Sequence, residues 1–288
     1  MDVAFYDRAG RSRLIVTGRD RKDLLHRLAT NPVAQLQPGG GIATCFCTSK
    51  GRLIDWSVVL DRGDDLLVLS ANPERLAGHI QLYTISEDVT VRNYMAIEIV
   101  VCGPDAARLL EVELEPWCFA ERDLAGVRVQ IARIEPLWTD AYAILAPDAV
   151  ALRRLLAERG KLLDPYEVNR LRVDAGIPAF PNEINERFNP WEAGLAGSVS
   201  LTKGCYIGQE VIARLNTYEK IQRRLARIEC LGALEAGDAL TLHGEACGEA
   251  TTVAGDRALG YVAVASAQPG TKLDQGVVEW VGSVPGSP

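Results

Sequence analysis

The chain has 288 residues, enough for two or three domains of roughly 100–150 residues each. Its formal net charge of −7 excludes nucleic-acid binding driven by overall charge and leaves room only for a local basic region. Seven scattered cysteines without a Cys-x-x-Cys pair, and three histidines, make neither a disulfide framework nor a structural zinc site.

That cysteine usage fits a reducing cytoplasm. The N-terminus lacks a charged segment followed by an apolar one, so no signal peptide is expected. No apolar run approaches the roughly 20 residues that a membrane helix needs.

In chain order, Leu14–Val16 predicts a strand that stops at Thr17-Gly18, and Asp20 stands at a helix start before Leu24, Leu25 and Leu28. Strands are expected over Ile42–Cys47 and Leu53–Leu60, joined by a turn at Thr48–Arg52, and again over Leu66–Ser70. Pro73 opens a helix to about Tyr83, and Val89–Val91 closes the unit. The order then begins again. Ile97–Val101 is a strand, Gly103 ends it, and Asp105 precedes Leu109-Leu110. One constant offset aligns Gly18 with Gly103, Asp20 with Asp105 and Leu24-Leu25 with Leu109-Leu110, an internal repeat of strand-helix-strand-strand-helix. Val127–Ile134 and Ala141–Leu145 supply the second copy's later strands, and Pro147 opens its helix, which ends at Gly160. Tyr166–Ala175 reads as a short helix. From Arg224 onward, short strands alternate with glycines, the pattern of a small all-β domain. The expected fold class is therefore α+β, divided into 14–95, then 1–13 with 96–220, and finally 221–288.

The densest chemistry is Lys203-Gly204-Cys205-Tyr206-Ile207-Gly208-Gln209-Glu210. A helix starting near Gly208 or Gln209 would aim unpaired N–H groups toward Cys205. Both that terminus and Lys203 would favour its thiolate, with Glu210 opposed. Such a cysteine otherwise serves as a small buried apolar residue, the reading that suits the other six, including Cys45-x-Cys47. Asp55, inside an apolar strand beside Trp56, must be exposed, paired or used. Asn72 is either a helix N-cap before Pro73 or an amide for a heteroaromatic ring edge. Lys203 to Arg227 holds six Lys/Arg residues against Glu210 and Glu219. Arg214, Lys220, Arg223 and Arg224 there suit a polyglutamate tail, an acidic partner, RNA or plain solvent.

The Lys203–Glu210 run resembles the signature of the YgfZ family, folate-binding iron–sulfur maintenance proteins related to the T-protein aminomethyltransferase of glycine cleavage. Arg172-Val173-Asp174-Ala175-Gly176-Ile177-Pro178 resembles that family's Arg-x-Glu-Ala-Gly-Ile-Pro passage, with aspartate in place of the usual glutamate. Asn189–Leu195 resembles its proline-plus-acid passage. The resemblance implies two related units and a small β-barrel arranged around a central folate cavity. It implies a tetrahydrofolate cofactor, Asp174 facing the pterin N–H donors, and folate contacts at Asp55, Asn72, Arg172, Trp191, Glu192, Tyr206, Gln209, Glu210 and Arg214. Trp191 equally suits the core. Cys205, with Lys203, is the implied reactive pair. No metal site is expected. The implied role is support of iron–sulfur assembly or repair, and of tRNA modification through it, with client or assembly proteins as partners and no membrane. Whether the chain turns over by itself stays open. A folate-dependent aminomethyl-type transferase and a non-enzymatic RNA- or partner-binding module are the alternatives. Glu135–Tyr142 lacks the glycine-rich Gly-Tyr-x-Gly-Glu passage of the aminomethyltransferases, which argues against glycine cleavage.

Overall fold

The computed structural model describes residues 2–8, 13–135, 137–217 and 221–283. Among the described residues it is an α+β protein with three sheets. In chain order the first elements are β1 (Ala4–Asp7), β2 (Arg13–Thr17), α1 (Arg21–Leu28), β3 (Gly41–Cys47), β4 (Leu53–Asp61), β5 (Leu66–Leu69), α2 (Pro73–Tyr83) and β6 (Thr90–Tyr94). β7 (Ile97–Cys102), α3 (Ala106–Leu110), β8 (Phe119–Leu124), β9 (Val127–Ile134), β10 (Ala141–Ala146), α4 (Val150–Arg159) and β11 (Lys161–Leu162) follow. The first sheet has the order β3-β4-β5-β2-β6 and the second β8-β9-β10-β7-β1-β11. The two orders are the same when β2 is matched to β7 and so on. The last strand of the second copy is β1, supplied by the N-terminus, with β11 added at its edge.

The repeat extends to individual bonds. Gly18 and Gly103 both have positive φ, +103° and +120°, and at each a Cβ would run into a backbone carbonyl, of Asp88 and of Asp2 respectively. Asp20 and Asp105 stand in the N-cap position, but neither caps its own helix. Instead Asp20 accepts from Asp88 N at 2.8 Å and Asp105 from Asp2 N at 2.9 Å. The shared Gly-x-Asp pattern thus ties each strand end to a distant segment. Gly18→Ala and Gly103→Ala should each lower the thermal midpoint more than Gly39→Ala, which has φ +91° and open space around its Cβ. Left-handed strain alone is about 1–2 kcal/mol, and the carbonyl clash adds to it. Equal midpoints for all three variants would show that the close approach is not there.

β1 and β8 escape the sequence pattern. β8 is partly to fully exposed over most of its length, so no apolar alternation marks it. α4 begins at Val150 rather than Pro147, with Asp148 Oδ1 accepting from Val150 N at 3.0 Å. Its buried Leu152 and Leu156 pack in one core with Leu110, Ile144 and Tyr142.

The remaining elements are α5 (Pro165–Ala175), α6 (Gln209–Thr217), β12 (Arg223–Cys230), β13 (Ala239–Leu242), β14 (Glu245–Ala254), β15 (Arg257–Ala263), β16 (Lys272–Leu273) and β17 (Gly276–Val281). The third sheet runs β13-β14-β15-β12-β17-β16. Its two edges meet where Asp274 N donates to Thr241 O at 2.9 Å and Thr241 N to Gln275 Oε1 at 2.8 Å, nearly closing a barrel. The chain gathers into two compact units, Met1–Thr44 with Trp56–Val168, and Cys45–Asp55 with Asn169–Pro288. Among the described residues no helix is long and apolar enough to cross a membrane.

Candidate functional site

In the second unit, the segment Cys45–Asp55 turns at Thr48–Arg52, closed by Thr48 N to Arg52 O at 2.8 Å and Gly51 N to Thr48 O at 2.9 Å. Gly208 of the eight-residue signature lies against this turn. Its φ is +81° and a Cβ there would stand 2.5 Å from Thr48 O, so the motif needs glycine for backbone contact. α6 starts one residue later, and Trp191 Nε1 donates to Ile212 O at 2.8 Å. Trp191 is 1% exposed and holds the helix from within the core.

Asn189 Oδ1 accepts from the backbone N of both Trp191 and Glu192, each at 3.0 Å, a local turn that fixes the acid beside it. Glu192 is 4% exposed. Its Oε2 accepts from Asn189 N at 3.1 Å and lies 3.5 Å from Arg52 Nη1, and its Oε1 is 3.8 Å from Arg223 Nε. Burial pushes this carboxyl above its ordinary range, while Asn189 N and the two guanidiniums pull the other way. Arg52 is steadied by Arg187 O at 3.0 Å. A cavity of about 150 Å³ opens here, with Lys50, Arg52, Asn189, Glu192, Gln222 and Arg223 on its walls. Val211 and Leu215 of α6 supply its apolar side. It pairs one buried acceptor carboxylate with three cations, an arrangement suited to a flat ligand bearing adjacent N–H donors and a carbonyl.

Glu192 and the signature helix come together at this cavity, and Asp55, Arg172 and Asp174 are not among its lining residues. Arg172 is fully engaged, with Glu183 Oε2 at 2.9 Å, Ile177 O at 2.8 Å, Thr252 Oγ1 at 2.8 Å and Asn169 Oδ1 at 3.0 Å. Asp174 meets Arg257 Nη1 at 2.9 Å and Arg170 Nε at 3.2 Å, so both oxygens already carry guanidinium partners. Asp55 is wholly buried on β4. Asn72 precedes α2 in the first unit without a side-chain capping bond, and its N donates to Ser70 Oγ at 3.1 Å. Gln209 opens α6, and Glu210 and Arg214 are exposed on it, 3.9 Å apart. Lys220 lies outside the described residues. Lys50 and Arg52 are visible in the sequence only as the flanks of a glycine turn. Gln222 carries no sequence signal at all.

In the signature itself Cys205 is exposed, whereas Cys45, Cys47 and Cys102 are buried. Burial pushes the Cys47 thiol far up and that of Cys102 to about 11. Lys203 lies over the Tyr206 ring, 5.2 Å from its centroid, and burial lowers its amine to about 8. Burial also pushes the Tyr206 phenol well up, and its hydroxyl has no hydrogen-bond partner among the described residues. Two labelling results are expected at neutral to mildly basic pH. Cys205 should alkylate ahead of the six other cysteines. Lys203 should acylate with a pH midpoint near 8, well below an exposed lysine near roughly 10.4. Mass-spectrometric mapping checks both. A Cys205 slower than Cys45 or Cys47, or a Lys203 midpoint at the ordinary value, would contradict this geometry.

Residues 1–203 match the family model described as the GCVT N-terminal domain, most of the chain, and the chain belongs to that family. Its curated relatives include an aminomethyltransferase of Geobacillus kaustophilus, 28% identical over 275 residues and covering 87% of this chain and 74% of that one. A chloroplastic transferase-type protein of Arabidopsis thaliana is 26% identical over 300 residues, covering 95% and 68%. Among solved structures, the glycine cleavage system aminomethyltransferase T from Bartonella henselae superposes with a TM-score of 0.85 over 98% of this chain and 86% of that chain. At 19% identity that likeness establishes a shared fold.

Proposed function

We propose that the chain binds tetrahydrofolate with its pterin in the Glu192 cavity, and that it acts as a cytoplasmic accessory factor in iron–sulfur cluster assembly or repair. The observation that carries the folate reading is one buried carboxylate set between two arginines, in a cavity walled by the signature helix. Glu192 would accept from the two adjacent N–H donors of the pterin, and Arg52 would donate to its ring carbonyl. Asn189 holds Glu192 in place through the turn described above. Tetrahydrofolate, when bound, supplies a carrier for one-carbon units. The exposed Cys205, beside a lysine whose amine is neutral for part of the time near pH 8, provides a nucleophile at the same signature.

The iron–sulfur role rests on the match of Lys203–Glu210 to the YgfZ signature and on the glycine-poor Glu135–Tyr142 segment, where Trp138 is 51% exposed. A second reading, a folate-dependent aminomethyl transferase, is favoured by the names of the relatives and by the shared fold. One assay separates the two. Incubation with an aminomethyl-lipoyl carrier and tetrahydrofolate should release no ammonia and form no methylene-tetrahydrofolate, while the chain restores iron–sulfur enzyme activity in cells lacking their own such factor. Turnover without restoration would establish the transferase instead.

A further inference from the structure

The internal repeat leaves one sheet edge covered and its counterpart open. In the second sheet β1 stands beside β7, with Ala4 opposite Cys102 and Phe5 opposite Val101. In the first sheet β6 stands beside β2, with Thr90 opposite Thr17 and Val91 opposite Val16. The offset that aligns Gly18 with Gly103 also carries Thr17 to Cys102 and Val16 to Val101, so Val89 and Val91 occupy the places of Val3 and Phe5. On β1 the carbonyls of those two residues point outward. They accept from Lys161 N at 2.9 Å and Leu163 N at 2.8 Å, which builds β11 as a parallel strand. On the outer side of β6 no strand stands among the described residues.

The path of the chain accounts for the difference. Lys161 is the first residue past the C-cap of α4, and Ile85 the first past the C-cap of α2. Lys161 runs on as a strand. At Ile85 the chain turns instead. Ile85 N and Ser86 N donate to Glu87 Oε2 at 2.9 and 3.0 Å, and Arg27 Nη2 holds that carboxylate at 2.7 Å. The turn feeds straight into β6 and leaves nothing to cover it. Sheet edges that take no partner are commonly blunted with charge. β8, the far edge of the second sheet, has Glu121, Arg122 and Asp123 in succession. β6 has one charge, Arg92, exposed and in no ion pair among the described residues. On either side of β6 in sequence stand Ile85, 89% exposed, and Met95, 87% exposed.

We propose that the outer edge of β6 is a docking site for an extended segment of a partner protein, one that alternates apolar and acidic residues. The segment adds as a strand in the place that β11 holds on β1, with its backbone N–H groups donating to Val89 O and Val91 O. The odd spacing of Arg92 and Met95 puts them on opposite faces of an extended chain, hence the alternation. Acidic side chains meet Arg92 on one face, and apolar ones cover Met95 on the other. A second copy of this chain fits less well. Pairing β6 with itself across a two-fold axis sets two Arg92 side chains on one face of the same ladder.

The test titrates the full chain into two fluorescent peptides, Glu-Val-Glu-Val-Glu-Val and Lys-Val-Lys-Val-Lys-Val, and reads anisotropy. The acidic peptide should bind about fivefold tighter at low salt, with the preference shrinking at high salt. Arg92→Glu should reverse the preference. Val91→Pro removes one outward N–H, a change that edge strands tolerate, and should abolish binding of both peptides while the thermal midpoint holds. If that variant fails to fold, the double variant Ile85→Asp, Met95→Asp, at two exposed positions, should weaken the acidic peptide about fivefold. No saturable binding by the wild type, equal affinity for the two peptides, or affinity unchanged by these variants overturns the site. A wild type that sediments as a dimer and a Val91→Pro variant that sediments as a monomer also overturn it, because the edge then belongs to a second copy.

Discussion

Glu183→Ala is expected to destabilise the second unit by about 3–5 kcal/mol, the cost of removing one partner from a buried ionic cluster. Glu183 is fully buried and accepts from Arg172 Nη1 at 2.9 Å, Thr251 Oγ1 at 2.5 Å, Thr252 Oγ1 at 2.6 Å and Ala179 N at 3.0 Å. Its own backbone oxygen takes the Tyr261 hydroxyl at 2.8 Å. Alanine would leave a guanidinium only 12% exposed without its counter-ion, and the Thr252 hydroxyl without the acceptor it has in Glu183. The thermal midpoint should fall on the order of ten degrees. Glu183→Gln keeps the shape and part of the bonding, and should lose less. A shift of a degree or so in the alanine variant, within the roughly 0.5 kcal/mol typical of surface changes, would mean that the Arg172 cluster does not hold this region together.

The second large effect is on binding. Glu192→Gln should weaken tetrahydrofolate by a charged hydrogen bond, about 1.5–3 kcal/mol or tenfold and more in affinity. The amide replaces one acceptor oxygen with N–H donors that face the donors of the ring. Folding should be little affected. Burial already raises the Glu192 carboxyl pKa, so its ionised form opposes folding at neutral pH, and the amide removes that cost. The same shift sets the pH dependence. Glu192 takes up a proton at a higher pH than an ordinary carboxylate, so affinity should begin to fall on acidification above the usual carboxylate range. Asp174→Asn is the contrasting variant. Both of its oxygens face arginines, so it should cost stability and leave folate affinity essentially unchanged. Loss of affinity in Asp174→Asn with full affinity in Glu192→Gln would place the pterin elsewhere.

The contrast shows which features are legible in the sequence. The Gly-x-Asp repeat is legible because its chemistry is local: a strand must end where a glycine turns and a helix must start where an aspartate stands. The destinations of Asp20 and Asp105 are not legible, because their partners are backbone N–H groups far along the chain, at Asp88 and Asp2. β1 and β8 are hidden for a related reason. β1 completes a sheet whose other strands come some 90 residues or more later (its partner across the β7 pairing is Cys102 for Ala4), and β8 is a largely exposed edge strand.

In the site, the Lys203–Glu210 signature announces itself through composition, and Gly208 acquires its physical reason only when the turn at Thr48 lies against it. The Arg172–Pro178 passage is equally conspicuous, yet in the structure it is an ion-pair junction with β15 and Glu183. Arg257, one partner of Asp174, is 83 residues away in sequence. Conversely, Arg52 and Arg223 are ordinary surface residues until both approach the one buried carboxylate between them.

The central claim is that the Glu192 cavity binds a reduced folate, and isothermal titration of tetrahydrofolate into the wild-type chain tests it most directly. The account predicts saturable binding at a single site, at least tenfold weaker in Glu192→Gln and unchanged in Cys205→Ser. No binding to the wild type, or full affinity in Glu192→Gln, would contradict it.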